Sequence, residues 1–234
     1  MLPSSGFWVL LCLIVLAPLV FDRISESRKL PPEKNASEAS TKNVATSDSD
    51  PRKLVALDNY YNSDLKSDWM ASGMQDRNLH DLPSGINNFQ EVPFRVGGLI
   101  QLRGKILAQR CPWFPEAIRG IPIQAKCSSL HFLHGTAWSV ADDVEIGAYI
   151  IHFSDSTQIR YPILYGKDVR DWSFNQADPD QTNNTAWSSK REPTSLRLYS
   201  SSWQNPKPDV AVESIDYFSE DTECAPFLIA ITCE

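Results

Sequence analysis

The alternation of apolar and polar residues with a period of two constrains the fold of this chain most. Its clearest example is a pair of runs, residues 147–153 and 158–165, separated by Ser154-Asp155-Ser156-Thr157. Successive side chains of a β-strand point to opposite faces, so each run predicts a strand with one buried face. The short polar segment between them is typical of a tight turn, and together the runs predict a β-hairpin.

Similar short runs recur through the rest of the chain, separated by Gly, Pro, Asn and Asp. They are residues 99–103, 130–134, 195–200, 210–218 and 227–232. No long amphipathic helix and no solenoid or propeller repeat interrupts them. The pattern predicts an all-β, antiparallel jelly-roll β-sandwich over residues 54–234, with a lead-in strand and long loops before residue 92.

The amino-terminal segments have a different composition. After a short terminus of residues 1–5, residues 6–21 form a run of 16 uncharged residues that ends before Asp22-Arg23. This run lies between the length of a signal-peptide core and that of a membrane span. The absence of a small-residue cleavage site after it favours a retained hydrophobic anchor helix over a cleaved signal peptide. Residues 22–53 are polar and predict a disordered linker.

Charge and cysteine content bear on partners and location. The chain has 22 basic and 29 acidic residues, a net charge of -7, and no extended basic cluster, which argues against nucleic acid as a partner. The basic residues that follow the anchor favour a cytoplasmic carboxy-terminal part. The even set Cys111, Cys127, Cys224 and Cys233 is compatible with an oxidising compartment. We expect a membrane-anchored protein with an extracytoplasmic globular part, while orientation and disulfide state stay open.

The recognised catalytic motifs are missing from the sequence. It contains no nucleophile elbow, phosphate-binding glycine loop, dinucleotide fingerprint or HExxH zinc motif, so we expect no enzyme. His131 and His134 are three apart on a predicted strand and point to opposite faces, which disfavours a shared metal. Asp142-Asp143-Val144-Glu145 offers oxygen ligands for Ca²⁺, but solvated loop charges are the favoured interpretation, and we expect no cofactor.

Tryptophans in predicted loops give the best indication of a ligand. An indole ring stacks on the apolar face of a sugar, while neighbouring Asp, Asn and Arg side chains bind its hydroxyls. The candidate ligand-binding residues are Trp138, Asp168, Arg170, Asp171, Trp172, Trp203 and Asn205. Two alternatives stay open: the rings cap the ends of the sandwich core, and Asp168 and Asp171 brace their loop through Arg170.

Eight stretches carry a resemblance to a known kind of domain. They are Tyr60-Tyr61-Asn62, residues 82–85, 92–98, 127–134, Ile146-Gly147, 165–172, 203–209 and 225–231. Together they resemble a β-sandwich domain of planctomycete and related bacteria that occurs beside kinase, anti-sigma or hydrolase modules and whose own activity is largely unassigned. The resemblance implies a galactose-binding-like jelly roll. The chain departs from that pattern at Gly97, where Arg is more usual, and in the polar loop after Trp172.

The expected function is that of a non-catalytic, membrane-tethered binding module that recognises carbohydrate, with cell-envelope glycan as its partner. The alternative is a structural or sensory domain that binds a membrane or envelope protein. A glycan-processing enzyme is a less favoured third reading, which the abundant carboxylates keep open.

Overall fold

The computed structural model describes residues 52–73, 77–174, 184–189 and 195–234. The predicted anchor, residues 6–21, and all but the last two residues of the predicted linker lie outside these ranges. The described residues belong to one compact unit, Ser47–Glu234. Among them, no helix has both the length and the apolar character needed to cross a bilayer.

The described part of the chain is built almost entirely from β-strands. In chain order these are β1 (Lys53–Leu54), β2 (Gly85–Phe89), β3 (Val92–Val96), β4 (Ile100–Gln101), β5 (Ala117–Ala125), β6 (Ser129–Ala137), β7 (Glu145–Phe153), β8 (Gln158–Leu164), β9 (Ser173–Phe174), β10 (Thr185–Ser189), β11 (Ser195–Gln204), β12 (Val212–Ser219) and β13 (Ala225–Cys233). The one helical turn among the described residues is α1, Lys105–Ala108. All named strand pairs are antiparallel, which confirms the predicted all-β class.

Two sheets form a β-sandwich. The larger sheet has the strand order β1-β13-β6-β11-β10, with β4 added to β13 and β9 to β11, and the smaller has the order β5-β12-β7-β8. Between them lies the inner core, to which both sheets contribute. Phe132 of β6 and Tyr149 of β7 stack across the interface with ring centroids 3.9 Å apart. Burial of such apolar surface is the main stabilising contribution to a fold of this kind.

The predicted hairpin is confirmed as β7 and β8. Ile151 pairs with Ile159 and Tyr149 with Tyr161, so the two alternating patterns present the same faces. The turn is fixed by Asp155, whose Oδ1 accepts a hydrogen bond from the Thr157 backbone nitrogen at 3.1 Å. Ser156 takes a positive φ of 65° in the middle of this turn.

Strand β5 has no counterpart among the runs singled out in the sequence. Gly120, at φ +70°, interrupts the alternation, and the register of β5 against β12 shifts next to it. Pro122 lacks an amide hydrogen, and β5 tolerates it because it is an edge strand of the smaller sheet. Because of this bulge and this proline, the nine residues of β5 do not show the period-two alternation that predicts a strand.

The larger sheet is buried on both faces. All nine residues of β13 are buried, as are all nine of β6. The face turned away from the inner core is covered by an outer core, which the lead-in residues supply together with α1 and the β2–β3 hairpin. Trp69 and Phe94 are among these covering side chains, at 6% and 0% exposure. This third layer distinguishes the fold from a bare two-sheet sandwich.

Candidate functional site

An open cleft lies where two strand edges meet. Strand β8 is an edge of the smaller sheet, and the pairing of β10 with β11 ends at Tyr199. One further bond, from the Ser200 nitrogen to the Asn184 oxygen at 2.9 Å, closes this pairing. Beyond it, within the described residues, β11 pairs with β6 alone. The space between β8, β11 and the turn of the β2–β3 hairpin is a cleft of about 470 Å³.

Polar side chains dominate the wall of this cleft. Eight of its eleven lining residues carry a polar group, and the apolar remainder is Val92, Pro162 and Leu164. Ser200, Ser201 and Ser202, here called the serine row, follow one another along β11 and all line the cleft. Ser201 points to the inner face beside Tyr161, and Ser200 and Ser202 point to the other face. A hydroxyl both donates and accepts hydrogen bonds, so these groups can match the hydroxyls of a polyol in either direction. The volume lies within the range typical of small-molecule sites.

The cleft contains one hydrogen-bonded carboxylate. Asp168 Oδ1 accepts a bond from the Tyr161 hydroxyl at 3.2 Å, and its Oδ2 accepts one from the Leu164 nitrogen at 2.8 Å. Burial raises the pKa of Asp168, and the Leu164 amide opposes this effect. Burial and the neighbouring carboxylate raise the pKa of Tyr161 to about 12, while the Ser201 hydroxyl acts in the opposite direction. Tyr161 therefore stays protonated at neutral pH, and its hydroxyl hydrogen is donated to Asp168.

Aromatic rings support Tyr161 from behind. Its ring centroid lies 5.9 Å from that of Phe132 and 6.3 Å from that of Tyr149. Tyr149 in turn is fully buried, and its hydroxyl is hydrogen-bonded to His134 Nδ1 at 3.1 Å. Burial lowers the pKa of His134 to about 3, so this histidine is a neutral core residue. A half-buried ring with packed neighbours is a preorganised stacking surface.

Of the predicted ligand-binding residues, Asp168 lies in the cleft wall. Lys167 of the same loop, residues 165–172, lines the cleft as well, whereas Gly166 and Arg170 contact the segment before β7. Arg170 Nη2 donates to Asp142 Oδ2 at 2.8 Å, and its guanidinium lies 5.6 Å from the centre of the Tyr165 ring. Gly166 is at φ +83°, and a Cβ there would lie 2.6 Å from Asp142 Cγ. The loop is therefore tightly fitted against the segment before β7.

Asp171 and Trp172 are bonded into the larger sheet. The Trp172 nitrogen donates to the Thr136 oxygen at 2.8 Å, and Arg197 Nε donates to the Asp171 oxygen at 3.0 Å. The Trp172 side chain is 1% exposed, and its ring centroid lies 5.1 Å from that of Trp69. Burial raises the pKa of Asp171 to about 6, opposed by the Ser173 amide and by nearby arginines. In this arrangement the indole has no face available to a ligand.

The other three candidates lie away from the cleft. Trp203 is 8% exposed in the inner core, 6.5 Å from the Phe153 ring. Trp138 packs against the outer core at a positive φ of 63°. Asn205 Nδ2 donates to the Cys127 oxygen at 2.8 Å, and its Oδ1 accepts from the Lys207 nitrogen at the same distance. A ligand role for these residues stays a prediction, and in this structure each of them contributes to packing or to loop geometry.

The acidic segment before β7 is paired with arginines. Asp142 bonds Arg170, and Glu145 and Glu220 both bond Arg160. Across the described ranges, no three His, Cys, Asp or Glu side chains are grouped as metal ligands. The two histidines of β6 point to opposite faces, as the strand geometry predicts: His134 contacts Tyr149 in the inner core, and His131 contacts Ser202 of β11.

His131 connects a serine of the cleft to a carboxylate. Its Nδ1 lies 2.7 Å from Ser202 Oγ, and its Nε2 lies 2.9 Å from Glu234 Oε2 and 3.0 Å from Ser129 Oγ. A proton on Nε2 bonds Glu234 and leaves Nδ1 to accept the Ser202 hydroxyl. Ser202 is exposed, whereas His131 is 7% exposed. The serine is thus the accessible end of this chain of bonds.

Neither the serine row nor Tyr161 was predicted from the sequence as part of a site. A serine run and a tyrosine in a strand carry no motif, and their meeting depends on which strands lie at sheet edges. Pro162 was the one indication in the sequence, because a proline inside a strand predicts an edge strand. The cleft lies at such an edge.

No protein-family model matches the chain, and no curated protein sequence matches it. The resemblance to the planctomycete β-sandwich domain therefore stays a prediction.

Proposed function

We propose that this chain is a non-catalytic, membrane-tethered binding module of jelly-roll type that binds carbohydrate in the cleft between β8 and β11. The observation that carries the proposal is the composition of that cleft. It combines the ring of Tyr161, the three residues of the serine row and the Asp168 carboxylate around about 470 Å³ of space. A sugar ring needs these features together: a planar surface for its C–H face and hydrogen-bonding groups for its hydroxyls.

The charges of the cleft favour a neutral ligand. Lys167 and Asp168 contribute one positive and one negative group, and the other polar lining residues are hydroxyls and amides. Both Asp168 oxygens already accept protein hydrogen bonds, but a carboxylate has further lone pairs for ligand hydroxyls. A phosphate or a polyanion would meet this carboxylate at close range. Uncharged cell-envelope glycans are therefore the proposed ligand class.

The experiment is a glycan array probed with the purified full-length chain, followed by calorimetry with oligomers of galactose, glucose, mannose and N-acetylglucosamine. The test variant is Ser202→Val, which removes the exposed hydroxyl of the cleft wall. Its matched control is Ser188→Val, a substitution at an exposed serine of β10 outside the cleft. We expect Ser202→Val to weaken binding at least tenfold, which corresponds to about 1.4 kcal/mol. Ser188→Val should leave it unchanged.

Equal binding by both variants would move the ligand site away from the cleft. The absence of binding to every glycan, with and without Ca²⁺, would reject the carbohydrate proposal. Stoichiometric co-purification of another protein in its place would support the interaction-domain alternative.

Membrane tethering is proposed from residues 6–21. A glycan-binding role outside the cell requires the sandwich to be extracytoplasmic, whereas the basic residues after the apolar run favour the opposite orientation. A reporter enzyme that is active only outside the cytoplasm, fused after Glu234, separates the two. We expect activity in intact cells; an inactive fusion that is present in the membrane fraction would contradict the proposal.

A second candidate function is hydrolysis of acyl esters on glycans, favoured by the bonded chain Ser202–His131–Glu234. In that reaction Ser202 Oγ attacks the ester carbonyl, its proton passes to His131 Nδ1, and Glu234 stabilises the imidazolium. The sugar alcohol leaves with a proton, and water then releases the acyl group from the serine. A fluorophosphonate probe tests this directly: labelling of Ser202 that is lost in His131→Ala favours hydrolysis, and an unlabelled chain rejects it.

A further inference from the structure

Two cysteines meet where the larger sheet ends. Cys233 is the last residue of β13, and Cys127 precedes β6, the neighbouring antiparallel strand. The ladder continues to the chain end, since the Glu234 nitrogen donates to the Ser129 oxygen at 3.0 Å and the Ser128 nitrogen donates to the Glu234 oxygen at 2.5 Å. These bonds fix the segments that carry the two thiols next to each other.

The two side chains contact each other inside the inner core. Both are buried, at 4% and 2% exposure, and the Cys127 thiol donates a hydrogen bond to the Cys233 sulfur. That bond and the nearby Lys53 ammonium lower the pKa of Cys233, whereas the same bond and burial raise the pKa of Cys127. The Asn205 amide holds the Cys127 backbone from the other side, at 2.8 Å. The two thiols therefore lie side by side, as the formation of a disulfide bond requires.

The other described cysteines have different surroundings. The Cys111 thiol faces the Trp69 oxygen at 3.9 Å in the outer core, and the Cys224 thiol donates to the Trp138 oxygen at 3.3 Å. Cys224 also precedes β13 at the opposite end from Cys233. An extended strand of this length separates its ends by about 25 Å, well beyond the ~7 Å limit for a disulfide. Among the four described cysteines, the structure thus favours pairing of Cys127 with Cys233.

We propose that Cys127 and Cys233 form a disulfide bond in an oxidising compartment and so tie the end of β13 to the start of β6. A disulfide oxidant such as oxidised glutathione supplies the two-electron chemistry. The Cys233 thiolate attacks one glutathione sulfur and releases one glutathione thiolate. Cys127 loses its proton and attacks the Cys233 sulfur of the mixed disulfide, which releases the second glutathione. The net change is two thiols and one glutathione disulfide to one protein disulfide and two glutathiones.

The bond would close a loop that spans most of the sandwich. Residues 128–232 lie between the two cysteines and include β6 through nearly all of β13. A cross-link that closes a long loop restricts the unfolded chain strongly and stabilises the folded one. The oxidised protein should therefore unfold at a higher temperature than the reduced protein.

The test is refolding of the full chain in a glutathione redox buffer, followed by alkylation under denaturing conditions and mass spectrometry. The chain has five cysteines, so the proposal expects three alkylated thiols and a Cys127–Cys233 cross-linked peptide. Cys111→Ser and Cys224→Ser are the matched controls and should keep this peptide. Cys127→Ser and Cys233→Ser should each lose it and abolish the difference in unfolding temperature between oxidised and reduced protein.

Peptide mapping of the wild-type chain decides the question even where a serine variant fails to fold. Five alkylated thiols in the folded, oxidised wild-type protein would overturn the proposal. A cross-link that joins any other pair would overturn it as well.

Discussion

The loop of residues 165–172 and the serine row of β11 lie on two sides of the same cleft. Most of the loop's large side chains contact the protein itself, whereas the residues of the serine row line the cleft. The loop contains the residues that stand out in the sequence, yet Trp172 is 1% exposed and Arg170 bonds Asp142. The serine row has no distinguishing motif, yet all three of its residues line the cleft. Asp168 belongs to both, because its carboxylate faces the cleft while its backbone holds the loop.

This difference shows what makes a residue available to a ligand. A large aromatic side chain gains most by burial, so in a three-layered sandwich a tryptophan is drawn into the outer core. Ligand contact instead requires an open cleft with polar groups in its wall, and within the described residues the edge of β11 provides both. The loop of residues 165–172 thus mainly stabilises the fold, and the edge of β11 is the better candidate for a ligand-binding surface.

Replacing Trp172 should produce the largest effect, on stability. Trp172→Ala removes a buried indole from contact with Trp69 and Phe227, and we expect it to lower the free energy of unfolding by roughly 3–5 kcal/mol. Urea denaturation measures the change. Trp113→Ala is the control, because Trp113 is 67% exposed and its loss should cost about 0.5 kcal/mol or less. Equal stability of the two variants would show that the Trp172 side chain does not stabilise the fold more than an exposed tryptophan does.

Replacing Asp171 should change how stability depends on pH. Burial raises the pKa of Asp171 from 3.8 to about 6. The folded chain therefore binds this proton more tightly than the unfolded chain, and the contribution of Asp171 to stability falls as the pH rises from about 4 to about 6. A difference of about 2 in pKa corresponds to about 3 kcal/mol.

Asp171→Asn keeps the acceptor for the Ser173 amide and removes the titration. Relative to wild type, the variant should gain up to about 3 kcal/mol between pH 4 and pH 7. The measurement is urea denaturation at several pH values, with the exposed Asp209→Asn as control. Parallel curves of unfolding free energy against pH for wild type and Asp171→Asn would show that this carboxyl is not desolvated. The loop of residues 165–172 would then again be a candidate for a solvated binding surface.

The fold was predictable from sequence where its determinants are local. The β7–β8 hairpin follows from alternation on both sides of a polar turn, and the observed register pairs Ile151 with Ile159. Strand β5 was not predictable in this way, because Gly120 and Pro122 interrupt its pattern and its pairing with β12 overrides them. Local pattern thus fixes strands only where no bulge intervenes.

The site depends on long-range pairing, which one sequence does not reveal. Within the described residues, the cleft lies where the pairing of β10 with β11 ends and where β8 forms a sheet edge. Trp172 is buried because Trp69, from the lead-in segment, covers the outer face of the larger sheet. Asp168 was predicted from its loop, but its partner Tyr161 had no sequence signal beyond the neighbouring Pro162.

Of the substitutions that test this comparison between loop and cleft, Tyr161→Phe should have the smallest effect on stability. Tyr161→Phe keeps the ring and removes the hydroxyl that donates to Asp168 Oδ1, which should cost about 1 kcal/mol of stability. Tyr60→Phe is the matched control, because it removes one hydroxyl bond, to the Gly120 oxygen at 2.9 Å, away from the cleft. Both variants should remain folded with similar, modest losses in urea denaturation. Only Tyr161→Phe should weaken glycan binding, by about tenfold in calorimetry. If both variants bind glycan as the wild type does, the Tyr161–Asp168 hydrogen bond only stabilises the fold. The proposed difference between the cleft and the loop of residues 165–172 would then be wrong.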